Sequence, residues 1–298
     1  MPHTLKEWIA TTRYWSFSVS ALPVVAGTAY FCALRGFSHI DWLSAALAVV
    51  GVVLFHAAGN LLSDVGDFRS GADSREAYAI PNLVEHLFEP KEYLRLSAVL
   101  FALGIAIGLF LTWRCGWQLL LIGGAGFLFT LLYTKSKNLW LSDLNVFVIF
   151  GILILMGTGF VVTHQVQWSV LLLSLPIGLI TLSVLHANNT VDIKTDAAAG
   201  LRTVAMALGV ERSARLYILY QLTPFAWMLL CVLCGWLPWT ALLCLLSLIP
   251  AVGNIRQAAA YKARGRDAML GLDLRSAKLQ LIFSLTLSIG LFLAAFLL

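Results

Sequence analysis

Apolar stretches of roughly 18–22 residues recur from one end of this chain to the other, at about 14–34, 42–62, 93–113, 116–133, 144–162, 168–187, 216–234, 237–255 and 279–298. Each is about the length a helix needs to cross the hydrocarbon core of a bilayer. Backbone groups in lipid must pair within their own segment, and strand-type alternation is absent, so the expected fold is all-α: a polytopic membrane protein with nine transmembrane helices around a central cavity, forming one domain over 1–298. Only 12% of the 298 residues are charged, about half the share typical of soluble domains.

The net charge of +5 raises the question of nucleic acid. The placement of the basic residues answers it. Eighteen of the twenty Lys and Arg fall at the N-terminus or in the loops after helices 2, 4, 6 and 8; only Arg35 and Arg114 lie on the other side. This is the positive-inside pattern, with the N-terminus and charged loops cytoplasmic and the C-terminus outside. No nucleic-acid partner is expected. The five cysteines lie in or beside apolar runs, and the CxxC pair Cys231 and Cys234 reads as packing rather than redox or metal chemistry.

Acidic residues do not set topology, yet fourteen of fifteen share the cytoplasmic side, Asp41 being the exception. Two clusters stand out at the ends of apolar runs. Asn60, Asp64 and Asp67 close the second run, and Asn188, Asp192 and Asp196 close the sixth; Gly71 and Gly200 follow. The spacings i, i+4, i+7 and i, i+4, i+8 each line one helical face. Carboxylates at a membrane boundary cost free energy and call for a reason. Two converging faces supply hard oxygen donors of the kind Mg²⁺ shares with substrate phosphates. Without cations such acids would repel one another. Asp64, Asp67, Asp192 and Asp196 are the candidate metal-binding and catalytic residues, with Asn60, Asn188 and Asn189 beside them.

Arg13, Lys135 and Arg202 are the favoured grips for a diphosphate; Arg69, Lys137 and Lys194 read equally well as topology markers. His56, one turn before Asn60, and His186 stand either as pocket or proton-relay residues or as buried histidines bonded to backbone carbonyls. Asp143 opens the fifth helix, where an acid stabilises a helix N-terminus or completes the site's mouth. Glycines at 104, 108, 123, 124, 126, 151, 157 and 159 permit close helix packing or leave room for an apolar tail lying between helices and open sideways to the bilayer, and Phe127, Phe129, Phe147, Phe150 and Phe160 read as packing or tunnel-lining residues; packing is the main reading for most of them. Together these features describe a membrane enzyme for a diphosphate with a lipid-soluble remainder. A transporter would bury its acids near the midplane at broken helices, not at one face. The DGxxAR cluster of CDP-alcohol phosphotransferases is absent.

Asn60-xxx-Asp64-xx-Asp67-xxx-Gly71-x-Asp73 and Asn188-Asn189-xx-Asp192-xxx-Asp196-xxx-Gly200-x-Arg202-Thr203 resemble the paired motifs of UbiA-type intramembrane prenyltransferases. Arg13 with Pro23 and Gly27-Thr28, and Tyr133-Thr134 with Asp143 and Gly157-Thr158, extend the likeness over roughly 8–210, nearest the dihydroxynaphthoate (menaquinone-pathway) branch. Ser63, where that branch usually has a second Asn, and the stretch Tyr78–Leu87 depart from its pattern. The resemblance implies Mg²⁺-dependent transfer of a polyprenyl group from its diphosphate to an aromatic acceptor, with 1,4-dihydroxy-2-naphthoate expected and hydroxybenzoate or homogentisate as alternatives. A bacterial inner membrane is the expected location.

Overall fold

The computed structural model describes residues 3–71, 82–136 and 139–297. Asp73, the stretch Tyr78–Pro81 and Lys137, singled out above, lie outside the described residues.

A short helix α1 (Leu5–Thr11) precedes the first span. Thr4 and Glu7 close its start as a capping box, each satisfying an amide at the other's end. Arg13 then adopts a left-handed backbone (φ 56°) that redirects the chain into the bilayer. The spans follow as α2 (Ser18–Arg35), α3 (Trp42–Ser70), α4 (Pro90–Cys115), α5 (Leu119–Ser136), a continuous run of α6 (Ser142–Val146), a π-helical stretch (Phe147–Leu153) and α7 (Ile154–Thr163), then α8 (Ser174–Val191). After the short α9 (Ile193–Ala198) come α10 (Val204–Leu233), α11 (Leu248–Ala259), α12 (Tyr261–Arg264) and α13 (Leu272–Leu297). Among the described residues, eight helices are long and apolar enough to cross a membrane, and the apolar part of α5 (Leu119–Tyr133) is a shorter ninth. The chain is an all-helical integral membrane protein. α3 reaches about two turns beyond the apolar run that announces it, because Asn60, Asp64 and Asp67 continue the helix instead of ending it.

The bundle is asymmetric. α13 packs against both α2 and α8, burying Phe31, Ile177, Ile180, Leu279, Phe283 and Leu287 among others. α3 and α4 pair with each other, but only 28% and 22% of their spans are buried, against 67% for the spans containing α2 and α8. From Leu120 to Tyr133, α5 buries no residue at all. The α3–α4–α5 side is therefore a thin wall.

On the membrane face away from the two clusters, Asp41 caps α3 by accepting from the Ser44 amide (3.1 Å) and hydroxyl (2.8 Å). Arg114 at the end of α4 donates to it twice (2.9 and 3.1 Å), and His164 at the end of α7 lies 3.1 Å away. Three helix ends are pinned to one carboxylate. Partial burial pushes its pKa up, but the bonds from Arg114, Ser44 and His164 outweigh that and hold it below the usual carboxylate range.

Candidate active site

The first cluster occupies one face of an unbroken helix. Asp64 and Asp67 are buried; Asn60 is half-buried and donates its amide to the Thr12 carbonyl (3.0 Å). That bond ties α3 to the turn carrying Arg13, whose guanidinium forms an ion pair with Asp64. Ser63, the departure noted in the sequence, donates to Asp67 Oδ2 at 3.3 Å. Gly71 ends α3 in the left-handed conformation (φ 76°), its amide returning to the Asp67 and Phe68 carbonyls.

The second cluster is built differently. α8 stops at Val191, and Asp192 (φ −91°, ψ 12°) is the hinge between it and α9, so the expected single helical face over Asn188, Asp192 and Asp196 is interrupted. The break keeps local hydrogen bonds: the Asp192 amide reaches the Asn188 carbonyl (3.0 Å) and the Asp196 amide the Asp192 carbonyl (2.8 Å). Gly200 (φ 73°) closes this segment as Gly71 closes the first. The glycine that follows each motif is thus a chain-reversal position, where a side chain would be strained.

Both clusters line one cavity of about 810 Å³, within the range of small-molecule sites. Asn60, Asp64, Asp67, Asn188, Asn189, Asp192 and Asp196 form its polar end, with Arg13 and His56. Phe55, Phe127, Phe150, Leu153 and Ile154 line its apolar body. Asn189 Nδ2 and Thr181 Oγ1, buried polar atoms on lining residues, have no hydrogen-bond partner among the described residues. Such groups are costly unless something completes them.

Other expected residues fall elsewhere. Lys135 and Arg202 are exposed and are not among the residues lining the cavity. Lys135 sits in the last turn of α5, and Arg202 in the segment before α10, whose backbone carbonyl accepts from Trp140 (3.2 Å). His56 lines the cavity and is bonded to serine hydroxyls, Ser20 at 3.0 Å and Ser16 at 3.4 Å, not to a carbonyl. His186 is the carbonyl-bonded histidine, with Nε2 3.2 Å from the Ser213 oxygen, and is fully buried outside the lining. Asp143 faces its other nitrogen at 3.4 Å, without hydrogen-bond alignment, and supports the wall instead of completing the mouth. Phe127 and Phe150 line the cavity, whereas Phe129, Phe147 and Phe160 do not. One acid escaped the sequence reading: Asp273, in the first turn of α13, joins the lining. Nothing but its place two residues after Gly271 in a charged loop distinguishes it in the chain.

Among the described residues, the one trio of His, Cys, Asp or Glu with ligand atoms within 4.8 Å is Asp41, Cys115 and His164. It lies at the far face, and its carboxylate is already filled by Arg114, Ser44 and His164. The site acids are spread around the cavity end, a spacing suited to cations that share their ligands with a substrate and water rather than to one protein-caged ion.

A helical membrane bundle with two acidic motifs at one end of an apolar cavity defines an intramembrane enzyme for an amphipathic, anionic substrate. Residues 20–285 match the UbiA prenyltransferase family, and the chain belongs to it. It is 31% identical over 294 residues to UbiA prenyltransferase domain-containing protein 1 of Danio rerio, covering 96% of this chain and 84% of that protein. The protein of the same description in Xenopus tropicalis is 34% identical over 224 residues, covering 73% of this chain but only 64% of its own length. Among solved structures, a UbiA homolog from Archaeoglobus fulgidus bound to DMAPP and Mg²⁺ superposes with a TM-score of 0.63 at 13% identity, over 98% of this chain and 99% of that one.

Proposed function

We propose that the protein transfers a polyprenyl group from its diphosphate to an aromatic carbon, with 1,4-dihydroxy-2-naphthoate as acceptor, and that it does so with Mg²⁺. The observation that carries this reading is the convergence of Asp64, Asp67, Asp192 and Asp196 on the polar end of one apolar cavity. The donor set is all hard oxygen, which fits Mg²⁺, and the archaeal relative's bound DMAPP and Mg²⁺ accord with it. The four carboxylates, with Asn60, Asn188 and Asn189, are the residues that would hold the metal and the diphosphate. When bound, Mg²⁺ supplies positive charge against the departing diphosphate.

This chain's own residues do the rest. Arg13, paired with Asp64 at the polar end of the cavity, is placed to give a phosphate oxygen the same charge-assisted contact it gives the carboxylate. The apolar walls keep water from the allylic cation formed as the C–O bond breaks and the diphosphate departs; the electron-rich ring attacks that cation and regains aromaticity as the attacked carbon loses its proton, or its carboxylate as carbon dioxide. Asn189 Nδ2 and Thr181 Oγ1 supply unfilled hydrogen-bonding positions for the ligands. The dihydroxynaphthoate acceptor rests on the likeness of the two aspartate motifs. The loop charges support a cytoplasmic position for the acidic end. A screen of purified protein with Mg²⁺, a labelled long-chain prenyl diphosphate and the three aromatic acids tests the assignment. Transfer to dihydroxynaphthoate above the others is expected; preference for hydroxybenzoate or homogentisate overturns the acceptor, and transfer to none overturns the reaction.

A further inference from the structure

His56 is the one imidazole among the described residues that line the cavity. Its surroundings decide which ring nitrogen carries the proton. Ser20 Oγ spends its single proton on the Phe17 carbonyl (3.1 Å), so towards His56 Nδ1, 3.0 Å away, it can only accept. Nδ1 is therefore the donor, and in a neutral imidazole the other nitrogen is then an acceptor. Nε2 meets no donor for its lone pair among the described residues: Ser16 Oγ, 3.4 Å away, gives its own proton to the Arg13 carbonyl at 2.8 Å.

The ring is also held in orientation. Phe150 meets it edge to face with centroids 5.2 Å apart, and Phe17 packs at 5.9 Å. Ser16, Ser20 and Phe150 line the cavity with it. His56 lies one turn before Asn60 on α3, about 6 Å nearer the apolar body at the helical rise of about 1.5 Å per residue. A diphosphate held by Asn60 and Asp64 places its allylic carbon on that side, because the apolar tail runs away from the acids. An acceptor ring attacking that carbon stands beside His56.

We propose that His56 Nε2 is the base that takes the hydroxyl proton of the aromatic acceptor, and that Ser20 positions it by fixing the other proton on Nδ1. The assignment deepens the prenyltransferase reading and rests on it. As the donor's C–O bond breaks, its electron pair leaves with the diphosphate. The acceptor's O–H proton passes to Nε2, the electron pair of that bond moves into the ring, and the ring carbon bonds the allylic carbon. With dihydroxynaphthoate the attacked carbon then loses carbon dioxide; the electron pair left behind restores the aromatic ring, and the oxygen recovers its proton from Nε2.

The test reads donor binding and transfer separately, in purified protein with Mg²⁺, a labelled long-chain prenyl diphosphate and the acceptor selected by the screen. His56→Gln can still bond Ser20 but cannot take up a proton. Transfer is expected to fall about 10²-fold or more, the usual contribution of a positioned base, while donor affinity stays within about threefold of wild type. The same comparison with a ring-fluorinated acceptor, whose hydroxyl is already ionised at the assay pH, separates a base from a merely structural histidine: with the proton gone in advance, the loss should shrink to about tenfold or less. Ser20→Ala leaves His56 in place and serves if His56→Gln does not fold; its loss of about tenfold should shrink with the fluorinated acceptor in the same way. Wild-type transfer in folded His56→Gln overturns the assignment, as does an equal loss with both acceptors or a loss matched by lost donor binding. A wild type that binds the donor but transfers to no acceptor counts instead against the prenyltransferase reading.

Discussion

α3 carries acids at both ends, and they do opposite things. At its start Asp41 caps the helix, where the helix dipole favours negative charge. Its carboxylate is filled by Ser44, Arg114 and His164. At the other end Asp67 lies in the last turn, where the dipole disfavours an anion, and Asp64 lies one turn earlier. Both are buried, and both face a cavity. An acid that stabilises its helix explains itself structurally. Asp64 and Asp67 sit against the dipole and face the cavity together with Asp192 at the hinge and Asp196 on α9, an arrangement a helix cap does not call for.

The contrast breaks most visibly through activity. Asp64→Ala and Asp192→Ala are each expected to reduce Mg²⁺-dependent prenyl transfer by about 10²-fold or more, the scale seen when a group that stabilises developing charge is removed. Expression should stay near normal. Full activity in either purified variant would place its carboxylate outside the metal site. Arg13→Ala comes next: loss of a charge-assisted contact of about 1.5–3 kcal/mol predicts a rise in KM for the donor of about tenfold or more. A KM unchanged by this variant would confine Arg13 to its ion pair with Asp64.

At the opposite end Asp41→Ala should leave turnover nearly intact while costing about 1–2 kcal/mol of stability through the lost cap, read as a lower thermal midpoint. The charge of Asp41 carries its own pH signature. Its pKa is held below the ordinary value of about 3.9, so its contribution is fully present above that value and is lost as pH falls through the lower, folded-state pKa. The difference in midpoint between wild type and Asp41→Asn should close in strong acid, below about pH 4. A difference that persists unchanged in strong acid would contradict the assignment. The smallest change in midpoint is expected for Asp67→Asn, whose amide oxygen still accepts from Ser63, while activity drops. A lower midpoint would mean that Asp67 supports the fold.

Much of this was legible in the chain. Helical spans are announced by length and hydropathy alone, because lipid leaves the backbone few alternatives. Asn60, Asp64 and Asp67 stand out because few acids occur so near an apolar run. The break at Asp192 was not legible: i, i+4, i+8 spacing suits an unbroken helix, whereas α8 ends at Val191 and α9 begins at Ile193. Nor does a glycine declare whether it meets Phe55, as Gly104 does, or nothing, as Gly124 does, since that depends on what another helix brings opposite it. Asp273 was hidden by its setting, among charged loop residues that look solvated. Lys135 and Arg202 sit near helix ends, which says nothing about the direction of a long side chain.

The most direct measurement is equilibrium binding of a labelled prenyl diphosphate to the purified protein, with Mg²⁺ and with chelator, in wild type, Asp64→Ala, Asp192→Ala and the double variant. If the two motifs hold one diphosphate through shared cations, binding requires Mg²⁺, each single variant loses most of it, and the double variant loses little more, as groups acting as a unit do. Wild-type, Mg²⁺-dependent affinity in either single variant would contradict a shared site.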